Sequence, residues 1–170
     1  MSTTIFRMTA LLACLSGMLL FGQVNREPWF RHLNIDNGLS HNIVYSICQD
    51  SSGYYWLGTE DGLNRFDGYS VKVYSAHPSR KGSISGNTIT RVYVDRNGRL
   101  WVGIQDFGLN LYDPVHDLFI PYHADSIGLR SPGILDIYQD TDMNIWVATQ
   151  GGLELFDQNL DKIRSIPFNE

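Results

Sequence analysis

Metal-binding sites in proteins are built from histidine, cysteine and carboxylate side chains at short, regular spacing. The five histidines of this 170-residue sequence show no H-x3-H spacing, and no C-x2-C pair accompanies them. They are His32, His41, His77, His116 and His123. We therefore predict surface histidines, no metal site and no cofactor.

Three aspartates are each followed by glycine or proline: Asp61, Asp67 and Asp113. Aspartate in such pairs accepts hydrogen bonds from nearby backbone N–H groups and forms turns. We expect these three residues to be turn formers, with calcium coordination as the open alternative. The glycine-bounded stretch 58–62 lies between two predicted strands and precedes no helix, which excludes a phosphate-binding loop.

Cys48 is the only cysteine beyond the first 22 residues, so no disulfide is expected within the rest of the chain. It ends the apolar segment 43–48. A cysteine in such a segment is typical of a small buried hydrophobic residue, and we predict an unreactive thiol.

Tryptophan and aspartate recur at a fixed interval. Trp56, Trp101 and Trp146 are spaced 45 residues apart, and an aspartate lies six residues before each of them. With the neighbouring small residues, the repeated set is Asp50, Gly53, Trp56, Gly58, Asp95, Gly98, Trp101, Gly103, Asp140, Trp146 and Ala148. A ligand-binding residue need not occur in every repeat, whereas a packing residue must. We therefore predict a structural role for this set.

The copies differ in two places. The middle copy has one extra residue between Trp101 and Gly108, which predicts a longer turn there. In the third copy Met143 and Ala148 replace glycines, which predicts the least regular of the three units.

An Asp-Gly-aromatic repeat also occurs in sialidases, with the spacing D-x-G-x-x-W, and one more residue separates Asp50 from Gly53 here. A sialidase also needs an arginine triad and a tyrosine nucleophile. The arginines in question show no such arrangement: Arg31, Arg65, Arg91, Arg99 and Arg130. We predict no catalysis in this chain, and a propeller glycoside hydrolase remains the less favoured alternative.

The elements that position these residues are short strands. Aromatic residues make up 12% of the chain and 16 residues are glycine, which favours strands and turns. Each copy divides into four strands; in the first they are 43–49, 54–59, 63–67 and 69–74. The first strand is almost continuously apolar, which predicts burial on both faces. The linkers 77–87 and 123–132 are rich in Ser, Gly and Pro.

Four strands in about 45 residues with a recurring tryptophan are the pattern of a β-propeller blade. The fold class is therefore all-β, a partial propeller of about three four-stranded blades at 24–170. We predict a leading strand at 29–33 and blades at 43–74, 88–122 and 133–168. Each blade covers the apolar side of the next.

The first 22 residues carry one charge, Arg7, and an apolar run at 8–22 that is short for a membrane span. We predict a signal peptide at 1–22 and export to the periplasm. An uncleaved anchor and a lipoprotein modified at Cys14 remain alternatives. The net charge of −5 and the lack of a Lys/Arg cluster exclude nucleic acid as a partner.

The repeat D-x-x-G-x-x-W-[LVI]-G-T-x-x-G-L-x-x-[FY]-D resembles the two-component regulator propeller repeat. The segments 30–33 and 36–40 resemble the opening of the periplasmic sensor region in Bacteroidetes-type hybrid two-component regulators. The resemblance covers roughly 28–168. It implies an N-terminal fragment of a sensor propeller that detects glycan breakdown products and acts in a phosphorelay. Relatives are membrane-associated histidine kinases, and this chain has no kinase module.

The resemblance implies as partners an oligosaccharide and the remaining blades and signalling domains of a parent protein. Four tyrosines could contact a sugar, although packing is their commoner role: Tyr54, Tyr55, Tyr69 and Tyr74. Three blades expose two apolar sides, so we also expect self-association. A structural or dimerisation module without a ligand is the alternative function.

Overall fold

In the computed structural model, residues 32–168 are described. They form twelve strands in three antiparallel sheets. Blade 1 contains β1 (Val44–Gln49), β2 (Tyr55–Thr59), β3 (Gly62–Phe66) and β4 (Val71–Tyr74). Blade 2 contains β5 (Ile89–Val94), β6 (Leu100–Ile104), β7 (Gly108–Asp113) and β8 (Leu118–Tyr122). Blade 3 contains β9 (Ile134–Gln139), β10 (Ile145–Thr149), β11 (Gly152–Phe156) and β12 (Lys162–Pro167).

Each blade is a meander in which every strand pairs with the next one along the chain. Short turns join the strands, so each sheet forms from local pairings. The all-β fold and the three four-stranded blades are confirmed. The predicted signal peptide 1–22 and most of the leading strand 29–33 lie outside the described residues.

The blades stack through their first strands and through a glycine on the second strand of the preceding blade. At Gly58 an added Cβ would lie 2.7 Å from Cγ2 of Ile89, and at Gly103 it would lie 2.6 Å from Cγ2 of Ile134. Any larger residue would overlap these isoleucines, so glycine permits the close approach of neighbouring sheets. Ala148 occupies the corresponding position of blade 3.

The hydrophobic core consists of two clusters, one at each contact between blades. The first contains Trp56, Leu63 and Ile89, and the second contains Trp101, Leu109 and Ile134. All six side chains are almost fully buried. Burial of this kind stabilises each blade only while its neighbour is present.

The prediction that the first strand is covered on both faces is wrong. Val44, Tyr45 and Ile47 are 39%, 50% and 60% exposed, although the residues of β5 and β9 that are equivalent to Val44 and Ile47 are buried. Strand β1 is exposed because, among the described residues, no blade packs against this side of blade 1.

The linker between blades 2 and 3 contains the one-turn helix α1 (Ala124–Ile127), which the Ser, Gly and Pro content of 123–132 did not predict. Gly128 ends α1 in the left-handed conformation. Within residues 32–168, no helix is long and apolar enough to cross a membrane.

Candidate functional site

An aspartate and a tryptophan form the same hydrogen-bonded bracket in every blade. The indole Nε1 donates to aspartate Oδ2 at 2.7 Å for Trp56–Asp50, 2.9 Å for Trp101–Asp95 and 2.9 Å for Trp146–Asp140. Each bracket joins the turn after the first strand to the second residue of the second strand. The aspartate and the tryptophan of each predicted repeat are thereby brought together at three equivalent places.

The other carboxylate oxygen closes the turn itself. Asp95 Oδ1 accepts hydrogen bonds from the backbone N–H groups of Asn97 and Arg99, both at 2.9 Å. Asp50 and Asp140 accept the equivalent pairs. One aspartate therefore satisfies three donors, which explains why each repeat begins with this residue type.

The turn requires a positive φ at its fourth residue. This angle is 88° at Gly53 and 78° at Gly98, which glycine adopts without strain. Met143 has φ 69° at the same place in blade 3. Blade 3 therefore keeps the turn geometry although methionine replaces the glycine of the repeat.

Burial raises the pKa of Asp140, but the hydrogen bonds from Trp146 and Asn144 outweigh it and leave the pKa below its ordinary value. The charged carboxylate is therefore the form that holds the bracket.

A second repeated contact was not predicted from the sequence. A buried polar residue on the third strand of each blade accepts a hydrogen bond from the linker that enters that blade. The pairs are Asn64 with Ser40 N at 2.9 Å, Asn110 with Ser85 N at 3.0 Å and Glu154 with Arg130 N at 3.1 Å. The sequence does contain a feature that could have indicated this contact, because a polar residue follows the repeated Gly-Leu pair in each copy.

Burial raises the pKa of the Glu154 carboxyl, but hydrogen bonds from Ser165 and Lys162 outweigh it and lower the pKa below its usual range. Lys162 Nζ lies 2.9 Å from Glu154 Oε2. A buried carboxylate is retained here because it is fully paired.

A tyrosine–aspartate cluster connects blades 1 and 2. Asp117 Oδ1 accepts from Tyr74 Oη at 2.6 Å and from Tyr112 Oη at 2.7 Å, and Lys72 Nζ bonds to Oδ2. Arg65 donates to Tyr112 Oη at 3.0 Å. The guanidinium lies over the ring of Tyr54 at 4.7 Å from its centroid, and Trp56 packs against both Tyr74 and Tyr112.

The cluster keeps Asp117 charged and the tyrosines neutral. Desolvation raises the pKa of Asp117, but hydrogen bonds from Lys72, Tyr74 and Tyr112 outweigh it and lower the pKa to about 2. Burial and the hydrogen bond to Asp117 raise the pKa of Tyr74 far above its usual range, and that of Tyr112 in the same direction. Activation as a nucleophile would require the opposite shift.

The tyrosines singled out from the sequence therefore fall into two groups, packed and exposed. Tyr54 and Tyr74 are packing residues in this cluster, and Tyr55 is 41% exposed. Tyr69 is 93% exposed, so its predicted packing role is wrong. It lies in the Asp67 turn, where Asp67 Oδ1 accepts from the backbone N–H groups of Tyr69 and Ser70.

Burial raises the pKa of the Cys48 thiol to about 12, and the nearby charge of Asp50 adds to the effect. The thiolate is therefore scarce at neutral pH, in agreement with the predicted unreactive thiol.

The histidines are dispersed. His77, His116 and His123 are exposed, and His116 Nδ1 lies 2.7 Å from Asp113 Oδ2. Among residues 32–168, no group of three histidine, cysteine or acidic side chains is close enough to hold a metal ion.

A groove of about 310 Å³ lies where the linkers on either side of blade 2 meet the β6–β7 turn. His77, Arg80, Phe107 and His123 contribute its largest side chains. Phe107 is 48% exposed and packs over Gly86, where an added Cβ would lie 2.6 Å from the ring. Phe107 belongs to the turn that carries the extra residue of the middle copy, so it has no counterpart in blades 1 and 3.

The family profile described as two component regulator propeller matches residues 38–61 and 83–106, which contain the first two brackets. These two segments of the chain carry the two-component regulator propeller repeat. The recognition made from the repeat pattern is therefore confirmed.

Known proteins agree with this assignment. Histidine kinase P4 of Formosa agariphila is 45% identical over 56 residues, which are 33% of this chain and 4% of the kinase. The extracellular domain of BT3049, a hybrid two component system of B. thetaiotaomicron, is 32% identical with TM-score 0.73, over 82% of this chain and 20% of that one.

A second extracellular domain, that of BT4673 from the same organism, is 26% identical with TM-score 0.61. The match covers 79% of this chain and 19% of that chain. The propeller repeats described here therefore span about a fifth of the solved relatives' length. The chain is similar to one part of a two-component sensor domain.

Proposed function

We propose that this chain is part of the exported, periplasmic sensor propeller of a hybrid two-component regulator and that its groove binds a glycan-derived ligand. The observation that carries the ligand proposal is Phe107, a half-exposed aromatic residue that breaks the repeat. Packing residues recur in each blade, whereas a residue selected for one ligand has no reason to recur.

The groove has the chemistry that sugars require. An aromatic ring packs against the C–H face of a pyranose, and the Arg80 guanidinium donates hydrogen bonds to hydroxyl or carboxylate groups. Ser83 and Ser85 also line the groove, but their hydroxyl groups are already hydrogen-bonded to His77 and Asn110, so Arg80 is the main polar group for a ligand. Its volume is at the low end of the roughly 300–1,000 Å³ range of ligand sites, which corresponds to one or two sugar rings.

Native mass spectrometry of the full chain with a panel of neutral and acidic oligosaccharides tests this function. We expect one class to bind, and Phe107→Ala and Arg80→Ala each to weaken its binding at least tenfold. Val115→Ala is the matched control, because Val115 is 82% exposed and lies outside the groove. Equal binding by all variants, or no binding by any panel member, would favour a structural module without a ligand.

We further propose that the propeller is not catalytic. The tyrosines next to charged residues, Tyr74 and Tyr112, have raised pKa values and remain protonated at neutral pH. Hydrolysis of a chromogenic sialoside or other glycoside above the buffer rate, abolished by Tyr74→Phe, would contradict this proposal.

In the whole receptor, ligand binding would change the stacking of neighbouring blades and pass that change across the membrane to a kinase. The groove lies at a suitable place for such coupling, because it is lined from both linkers that flank blade 2.

A further inference from the structure

The groove that carries the proposed ligand site is basic, although the chain has a net charge of −5. Arg80, His77 and His123 line it, and among the described residues that line it none is acidic. A concave site with charges of one sign raises the local concentration of ligands of the opposite sign. The residues of the groove therefore indicate the charge of its ligand.

Arg80 supplies a positive charge that no carboxylate in the described part of the chain neutralises. Lys72, by contrast, forms an ion pair with Asp117. Within residues 32–168, no carboxylate lies within ion-pair distance of Arg80, and its guanidinium donates no hydrogen bond. A guanidinium holds its N–H donors in a planar fork that matches the two oxygens of a carboxylate. Arg80 is therefore available to pair with a carboxylate of the ligand.

The loop that carries Arg80 is held in place by its own hydrogen bonds. Arg80 N donates to His77 O at 2.9 Å, and Ser83 N donates to Arg80 O at 3.2 Å. Ser83 Oγ also donates to His77 O at 3.0 Å. At the base of the loop, Asn87 Oδ1 accepts from Ala76 N at 2.7 Å. A loop that is already folded loses little conformational freedom when a ligand binds.

Two imidazole rings line the same groove from the linkers on either side of blade 2. His77 belongs to the linker before blade 2, and His123 follows its last strand. Within the described part of the chain, both residues form their hydrogen bonds through backbone atoms. A neutral imidazole ring retains one N–H donor. These rings therefore offer donors to the hydroxyl groups of a sugar.

One acidic residue lies close to this region, and it is already paired. Asp117 lines a neighbouring cavity of about 70 Å³ that shares Arg80 with the groove. Its carboxylate bonds to Lys72 and accepts hydrogen bonds from the hydroxyl groups of Tyr74 and Tyr112. Asp117 thus has its own partners and leaves Arg80 to the ligand.

We propose that the ligand of this groove is a sugar acid whose carboxylate pairs with Arg80 while a sugar ring packs against Phe107. This inference rests on the proposed function, which assigns a glycan-derived ligand to the same groove. Uronates and sialates both carry a carboxylate on a pyranose ring, so both are sources of the required chemistry. A bidentate pair between arginine and a carboxylate adds geometric specificity as well as affinity.

Isothermal titration calorimetry of the full chain with digalacturonate and with its dimethyl ester tests this inference, because the ester keeps both rings and removes the charge. N-acetylneuraminate and its methyl ester form a second arm, which separates sialates from uronates. We expect at least one acid to bind about tenfold more tightly than its ester, since hydrogen bonds between charged groups are roughly twice as strong as neutral ones.

Two variants locate the source of this preference. Arg80→Gln should remove the preference for the acid and leave binding of the ester nearly unchanged. Lys81→Gln is the matched control, because Lys81 carries the same charge at the next position, is exposed and does not line the groove. It should keep the preference of the wild type. Phe107→Ala should weaken the binding of acid and ester alike.

The outcomes separate this inference from the proposed function. An ester that binds as tightly as its acid, a preference that survives Arg80→Gln, or an equal loss in Lys81→Gln would overturn the sugar-acid inference alone. Binding of a neutral oligosaccharide with no binding of either acid would also overturn it and leave the glycan proposal standing. If no sugar of any kind binds, both proposals fail.

Discussion

At the scale of single residues, one aspartate in each blade joins a turn to a tryptophan. Asp95 shows the arrangement most completely, because its side chain is fully buried, it accepts from Trp101 Nε1 at 2.9 Å, and Arg99 Nε lies 2.6 Å away. Hydrogen bonds to a charged acceptor are stronger than those between neutral groups. These contacts explain why aspartate and tryptophan recur together.

Gly58 and Gly103 let the next blade approach closely because they have no side chain. We expect Gly103→Ala to lower the free energy of unfolding by about 1–3 kcal/mol, because the added Cβ would lie 2.6 Å from Ile134 Cγ2. Urea denaturation measures the change. Ala148→Gly, at the same position of blade 3, is the control and should change stability by about 1 kcal/mol or less. Equal effects of the two substitutions would contradict the steric explanation.

The Asp117 cluster should make the stability of the folded protein depend on pH. The pKa of Asp117 falls from 3.8 in the unfolded chain to about 2 in the folded protein. Its stabilising contribution is therefore complete above about pH 4 and is lost as the pH falls toward 2.

Asp117→Asn removes that contribution and keeps the backbone, since asparagine tolerates the φ of 54° at this residue. We expect the stability difference between the wild type and this variant to be largest near pH 5 and to shrink toward pH 2 in chemical denaturation. The other acidic groups are the same in both proteins and cancel. A difference that stays constant over this range would show that the cluster is not held by the charged carboxylate.

At the scale of elements, the three four-stranded sheets could be predicted because each copy of the repeat contains the residue types of its own strands and turns. The Asp-x-x-Gly turns and the apolar second strands depend on neighbours in the sequence. The exposure of β1 could not be read from its apolar pattern, because burial depends on which blade lies beside it. The helix α1 and the Asp117 cluster have no repeated signal and were missed.

The linkers are held by the third strands, which leads to a prediction at this scale. Asn110→Ala removes the acceptor for Ser85 N and should accelerate trypsin cleavage in the 77–87 linker, which contains Arg80 and Lys81. We expect a severalfold increase, because an unpaired buried N–H costs about 1–3 kcal/mol. Mass spectrometry of the digest locates the cut.

Asn64→Ala is the matched control, since Asn64 holds Ser40 in the segment before blade 1. It should leave the rate of cleavage at Arg80 and Lys81 unchanged. If both variants are cleaved there at the same rate, the linker is not anchored by Asn110.

At the scale of the whole molecule, stability and recognition come from different parts of the repeat. The recurring residues pack blade on blade, and they were predicted as a structural set from spacing alone. The candidate ligand groove lies where the repeat is interrupted, at Phe107. Sequence reasoning recorded the extra residue but could not place it beside His77 and His123, because the linkers meet only in the folded stack.

The central claim is that neighbouring blades stack in register, with each glycine of the second strand against the first strand of the next blade. Cβ positions lie 3.2 Å apart at Gly58 and Ile89 and 3.0 Å apart at Gly103 and Ile134. Paired cysteines at 58 and 89, or at 103 and 134, should therefore form a disulfide within one chain after small shifts. Both pairs are made with Cys48→Ser.

Peptide mapping of the oxidised monomeric fraction is the deciding measurement. The account predicts intrachain disulfides for the pairs 58–89 and 103–134 and none for the mismatched pair Gly58→Cys with Ile134→Cys. Failure of both matched pairs in folded protein, or equal yield from the mismatched pair, would contradict it.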